Sequence, residues 1–112
     1  MGDCLFCKIA RKEIPATIVH EDAHCLAFAD INPQAPTHVL IIPRQHLADQ
    51  RALADAPAEL MGHLYAAANR VAAAKGLQSF RTVVNTGAGA GQSVFHLHLH
   101  LLGGRPMHWP PG

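Results

Sequence analysis

"VFHLHLHLLGG", residues Val94–Gly104, alternates histidine with leucine over six positions, and this alternation decides the fold. Successive side chains on a strand point to opposite faces, so the stretch predicts a fifth and last strand. His96, His98 and His100 share one face of it, and Leu97, Leu99 and Leu101 share the other. A leucine face needs an apolar cover. Between Pro57 and Lys75, the residues Leu60, Leu64, Ala68 and Val71 recur at helical spacing, which predicts one long helix. Asp55 is placed to cap its start and Gly76 its end.

Further out, "FRTVVNTG" (80–87) reads as a fourth strand, joined to the fifth by the glycine-rich turn "AGAGQS" (88–93). Upstream, "ATIVHED" (16–22) and "HCLAFAD" (24–30) predict a hairpin, and the β-branched run "THVLIIP" (37–43) a third, buried strand that Pro43 closes. Residues 5–12 predict a short helix, with Pro15 soon after it. The sum is an α+β fold over a single domain, 1–112. Its five-stranded antiparallel sheet carries the long helix on one face and leaves the other for a ligand.

The chain of 112 residues has nine Lys and Arg against eight Asp and Glu, a formal charge of +1, and no block of like charge. This argues against an electrostatic grip on nucleic acid or a membrane surface. The start lacks the apolar core of a signal peptide, and "LYAAANRVAAA" (64–74) falls short of the roughly 20 apolar residues that cross a bilayer, so a cytoplasmic protein is expected. Nine histidines are the unusual component, because imidazole titrates near neutral pH and binds metals.

Three readings of the histidine triplet stand on spacing alone. They are the wet face of an alternating strand, a shared metal site, and an imidazole nucleophile with imidazole helpers that attacks phosphorus. The glycine-rich "GAGAGQS" (87–93) immediately before it favours the third, since small residues let backbone amides approach an anion, and Ser93 adds a hydroxyl. Taken alone, that segment is also an ordinary flexible loop.

The pattern His96-Leu97-His98-Leu99-His100-Leu101-Leu102 resembles the signature of the histidine triad (HIT) family. Its context, with "FCKIARKEIPA", "CLAFADINPQAPTHVLIIPRQH" and "VVNTGAGAGQSV", is similar to the Hint branch, the purine nucleoside phosphoramidases. The resemblance implies hydrolysis of the P–N bond of adenosine or guanosine 5'-phosphoramidates, with no cofactor required for catalysis. His98 would be the nucleophile and become nucleotidylated. His100 and His38 would hold phosphoryl oxygens and pass protons, while Ser93, Asn85 and the amides around Gly91 and Gln92 would bind phosphate and steady the leaving group. Asp30 would accept from the ribose hydroxyls, and Phe6, Ile9, Ile14, Phe28 and Ile31 would enclose the purine. On local grounds alone, core packing is the commoner role for Phe6 and Phe28, and a turn serves Asp30 nearly as well as a ribose ligand.

The resemblance further implies a homodimer with the sheet continued across both subunits, in which Trp109 approaches the partner's site. "CLFC" (4–7) has half the ligands of a tetrahedral zinc site, and His46 and His96 match the other ligands in zinc-bearing relatives; two buried thiols are the plainer alternative. A zinc held by Cys4, Cys7, His46 and His96 would be structural. A dinucleoside polyphosphate hydrolase and a non-catalytic nucleotide-binding or scaffold module are the alternative functions.

Overall fold

In the computed structural model, which describes residues 4–112, the leucine face does find its helical cover. The elements run α1 (Leu5–Ala10), β1 (Ile18–Glu21), β2 (Cys25–Ala29), β3 (Thr37–Pro43), a 3-10 turn over Gln50–Asp55, α2 (Glu59–Ala74), β4 (Phe80–Val83) and β5 (Leu99–Gly103). All neighbouring strands pair antiparallel, in the order β1-β2-β3-β5-β4. The last strand therefore enters between β3 and β4. Leu97, Leu99 and Leu101 pack there with Leu64, Ala67, Ala68 and Val71 of α2 in one buried cluster. Each fully buried aliphatic side chain of this kind contributes about 1.5–3 kcal/mol.

The ends of α2 separate two expectations. Gly76 adopts φ 69°, and the N–H groups of Gly76 and Leu77 donate to the carbonyls of Ala73 and Ala72, so the helix stops on a glycine in the left-handed conformation as expected. Asp55 does not cap the start. It lies inside the 3-10 turn, and Ala58 precedes the helix with no side-chain cap. Pro57 precedes that residue, and its carbonyl accepts from Leu60 N–H at the helix start.

The fifth strand also begins later than the alternation implies, at Leu99 rather than near Val94. The ladder with β3 runs from Thr37↔Gly103 to Ile41↔Leu99 and stops there. Continued pairing would bring Leu97 opposite Pro43, which has no N–H to give. Leu97 N–H donates to the Leu47 carbonyl instead, and the alternation of faces persists without the ladder.

The opposite face is only partly open. α1 lies across it, packing Phe6 and Ile9 against Leu26, Phe28, Leu40 and Ile42. Cys4 caps this six-residue helix with its sulfur, and Lys12, at φ 60°, turns the chain away from it. Among the described residues no helix is long and apolar enough to cross a membrane.

Candidate active site and candidate metal centre

Where α1 leaves the sheet uncovered, a cavity of about 370 Å³ remains, within the size range of small-molecule sites. Phe6, Ile9, Ile14, Phe28 and Ile31 form its apolar wall, and Asp30, Ser93, His98 and His100 bring polar atoms to it. All nine are residues singled out from the sequence. Leu5, Pro15, Ala16, Ala29, Leu40 and Val94 complete the lining and carry no signature that sequence reading could use, since their role follows from where α1 docks. His38, Asn85, Gly91 and Gln92 do not line it.

The backbone fixes the protonation of the triplet. His98 Nδ1 lies 2.7 Å from the His96 carbonyl oxygen, which only accepts, so Nδ1 carries the hydrogen and Nε2 keeps its lone pair. Neighbouring His100 has its ring centroid 4.9 Å away. His38 stands behind His100. Its Nδ1 accepts from Gln34 N–H at 3.0 Å, so its Nε2–H donates to His100 Nδ1 at 2.9 Å, with Asp30 Oδ2 3.4 Å from the same nitrogen. By the same logic neutral His100 keeps its hydrogen on Nε2. Burial lowers the proton affinity of His38 despite the Asp30 charge, and it pulls His100 down to about 4 with help from the charges of His98 and His38. Both rings are neutral at pH 7. Asp30 divides its oxygens, Oδ1 accepting from Asn32 N–H in a local turn while Oδ2 faces His38.

The glycine-rich segment is a braced loop. Gln92, buried, accepts from Gly87 N–H at 2.8 Å and donates to the carbonyls of Ala48 and Val94. The Gly91 and Gln92 amides donate to Ala88 and Gly87 at 3.0 and 3.2 Å, so both are engaged within the loop. Asn85 lies against Gly91, where a side chain at that glycine would meet its amide nitrogen at 3.9 Å.

A second constellation sits at the start of α1. Ligand atoms of Cys4, Cys7, His46 and His96 all lie within 4.8 Å of one another. His96 Nδ1 is 3.4 Å from Cys4 Sγ, 3.5 Å from Cys7 Sγ and 3.2 Å from His46 Nδ1, while Cys7 Sγ is 3.3 Å from His46 Nδ1. Zinc bonded to two thiolates and two imidazoles has tetrahedral edges of about 3.3–3.8 Å, so the donor set fits that ion. His96 Nε2 lies 3.0 Å from the Pro43 carbonyl and donates to it, which leaves Nδ1 unprotonated as a ligand must be. Burial and the adjacent Cys4 sulfur push the Cys7 thiol up, a trend that a bound cation would reverse.

An antiparallel sheet whose last strand and the residue leading into it turn neighbouring imidazoles toward one cavity, with a serine beside them, defines a histidine-triad protein. The chain belongs to the HIT family: the HIT domain profile matches residues 11–107. An uncharacterized HIT-like protein of Synechocystis sp. is 57% identical, with 98% of this chain and 97% of that protein covered. The 14 kDa zinc-binding protein of Zea mays is 50% identical, with 96% and 87% covered. Among solved structures, a HIT family hydrolase from Legionella pneumophila superposes with a TM-score of 0.94 at 54% identity, covering 98% of this chain and all of that one. A zinc-bound histidine triad family protein from Mycobacterium smegmatis gives 0.82 at 35% identity, with 93% and 76% covered.

Proposed function

We propose that the protein hydrolyses purine nucleoside 5'-phosphoramidates to the nucleoside monophosphate and an amine, through a nucleotidyl-His98 intermediate, as in the Hint branch. The observation that carries this reading is the 2.7 Å bond from His98 Nδ1–H to the His96 carbonyl, which leaves a lone pair on Nε2 of a residue lining the cavity. His98 Nε2 attacks phosphorus as the P–N bond breaks, and Ser93 donates to the departing nitrogen. Water then opens the P–His98 bond; overall its hydroxyl ends on phosphorus and its hydrogen on the amine. Neutral His100 offers its Nε2–H to a phosphoryl oxygen, where fixed donors stabilise the charge that develops, and His38 holds His100 in that orientation. Asn85, Gly91 and Gln92 shape the phosphate loop in this reading, which the hydrogen bonds of the two amides within the loop and the position of Asn85 against Gly91 support. The ribose diol meets Asp30, and the base, adenine or guanine, lies against Phe6, Ile9, Ile14, Phe28 and Ile31.

Zinc at Cys4, Cys7, His46 and His96 is structural in this reading, because its four protein ligands leave no open position. A cytoplasmic homodimer completes the proposal. β4 is an edge strand with Phe80 41% exposed, and Trp109, 82% exposed, does not line its own chain's cavity. Those features suit pairing of β4 edges, with each carboxyl-terminal segment reaching the partner's site. The test is turnover of a fluorogenic adenosine 5'-phosphoramidate beside diadenosine triphosphate, each repeated with His98→Ala. Turnover of the first that vanishes in the variant is expected. Faster cleavage of the triphosphate would make the protein a dinucleoside polyphosphate hydrolase, and saturable binding without turnover of either would make it a binding module.

A further inference from the structure

The cysteine–histidine cluster reaches His98 by two routes, although none of its four residues lines the cavity. One route is covalent. His96 gives its ring to the cluster and its carbonyl to His98 Nδ1, so whatever fixes His96 fixes the acceptor that sets the tautomer of His98. The other runs through α1. Phe6 lies between Cys4 and Cys7, and its ring stands edge-on to His98 at 5.1 Å and 89°, and to His96 at 6.0 Å and 67°. A helix of six residues does not persist by its own hydrogen bonds, so the contacts of its first turn with His46 and His96 act with the packing of Phe6 and Ile9 on the sheet to place the Phe6 ring.

His98 has need of such support. It precedes β5, beyond the last rung of the ladder with β3, so the sheet's own bonding does not hold its backbone.

We propose that the Cys4, Cys7, His46 and His96 cluster is a positioning element for His98, acting through the His96 carbonyl and the Phe6 ring. The inference rests on the reading of His98 as nucleophile. With the cluster intact, the ring is clamped between a carbonyl acceptor and an aromatic edge, and Nε2 faces the cavity. With it released, the ring loses the acceptor on Nδ1, so it is free to turn about its Cβ–Cγ bond and to exchange its hydrogen between Nδ1 and Nε2, and either N–H turned toward the cavity cannot attack. Misplacement of a reacting atom by about 1 Å costs on the order of 10²-fold in rate.

The experiment compares the parent with Cys7→Ser and Cys4→Ser, both loaded with one equivalent of Zn²⁺. It measures kcat and KM for adenosine phosphoramidate, Kd for AMP, and the ¹⁵N spectrum of the His98 ring in the resting protein. The expected result is a fall in kcat of about tenfold or more. AMP affinity should fall by less than kcat, because Phe6 is one of five apolar side chains on the base wall and neither cysteine lines the cavity. The ring spectrum should pass from a single Nδ1–H form to an averaged mixture. A lower melting temperature with kcat and ring spectrum unchanged would show a plain structural anchor and overturn the proposal. If neither variant folds, the ring spectrum of the parent is followed through chelation and Zn²⁺ reloading, and a signature indifferent to both overturns it equally. The spectrum needs no turnover, so it separates this proposal from the phosphoramidase reading: a parent that cleaves no phosphoramidate sinks that reading and leaves the ring measurement intact.

Discussion

Replacing Leu101 with alanine tests whether the two faces of the histidine–leucine strand do separate work. Leu101 is fully buried, paired with Val39 and Thr82 across the sheet and packed in the cluster under α2. The substitution removes three carbons from the core, about 2.4 kcal/mol in transfer free energy at roughly 0.8 kcal/mol per carbon. The residual void raises the loss to about 3–5 kcal/mol. A chain of 112 residues has a total stability on the order of 6–17 kcal/mol, so this is a large fraction of it. With a urea slope near 1.5 kcal/mol per M, the unfolding midpoint drops by about 2–3 M. The adjacent Leu102 is half-buried on the other face, opposite His38 and Arg81, and its alanine variant should lose about 1 kcal/mol or less. Phosphoramidate turnover per folded molecule should survive Leu101→Ala. Equal losses at the two positions, or a larger one at Leu102, would mean the register is displaced by one residue and would refute the assignment of faces.

Other perturbations follow from the same geometry. His100 titrates near 4 in the folded chain and His38 below its ordinary value, whereas both take a proton at about 6.5 when unfolded. Their contribution to stability is therefore full above that pH, is lost as pH falls from about 6.5 toward 4, and changes no further below; a urea midpoint constant across this window would contradict the burial of neutral rings. Gly104 sits at φ 91°, and a Cβ there would meet Pro36 Cβ at 2.9 Å, a rigid neighbour, so Gly104→Ala should destabilise by about 2–5 kcal/mol in thermal or urea melts. AMP brings negative charge to His100 and raises its proton affinity, so binding should take up protons at pH values above about 4, where the free ring is neutral. Calorimetry in two buffers of different ionisation heat measures the uptake, and none would place the phosphate elsewhere.

The sequence carried the fold wherever one local rule sufficed. Alternation assigned the leucines to α2, helical spacing located that helix, and Gly76 its end. It fell short where a distant partner decides. The start of β5 depends on Pro43, more than fifty residues upstream, and α2 starts without the carboxylate of Asp55 as its cap. At the site, side chains with a chemical signature were legible, including the set Cys4, Cys7, His46 and His96 that the structure gathers. The bracing role of Gln92 has no local signature, because its three hydrogen bonds join segments that only folding brings together. Leu40 and Val94 acquire their place only from the docking of α1.

In the proposed reaction, the alternation also explains why this strand would suit an imidazole nucleophile. A free imidazole exchanges its hydrogen between two nitrogens, and only one arrangement can attack. On a strand, residues two apart lie on the same face, so the carbonyl of one histidine can accept from the next, as His96 does for His98. A side-chain acceptor such as a carboxylate would serve the same bond but would add a negative charge beside an incoming phosphate. The carbonyl supplies direction without that charge. His38 and His100 extend the same economy, since two neutral rings bonded to each other offer a donor to the phosphate while burial keeps them from charging beforehand. The site therefore holds its polarity in fixed N–H bonds, which need no reorganisation when the phosphoryl group arrives.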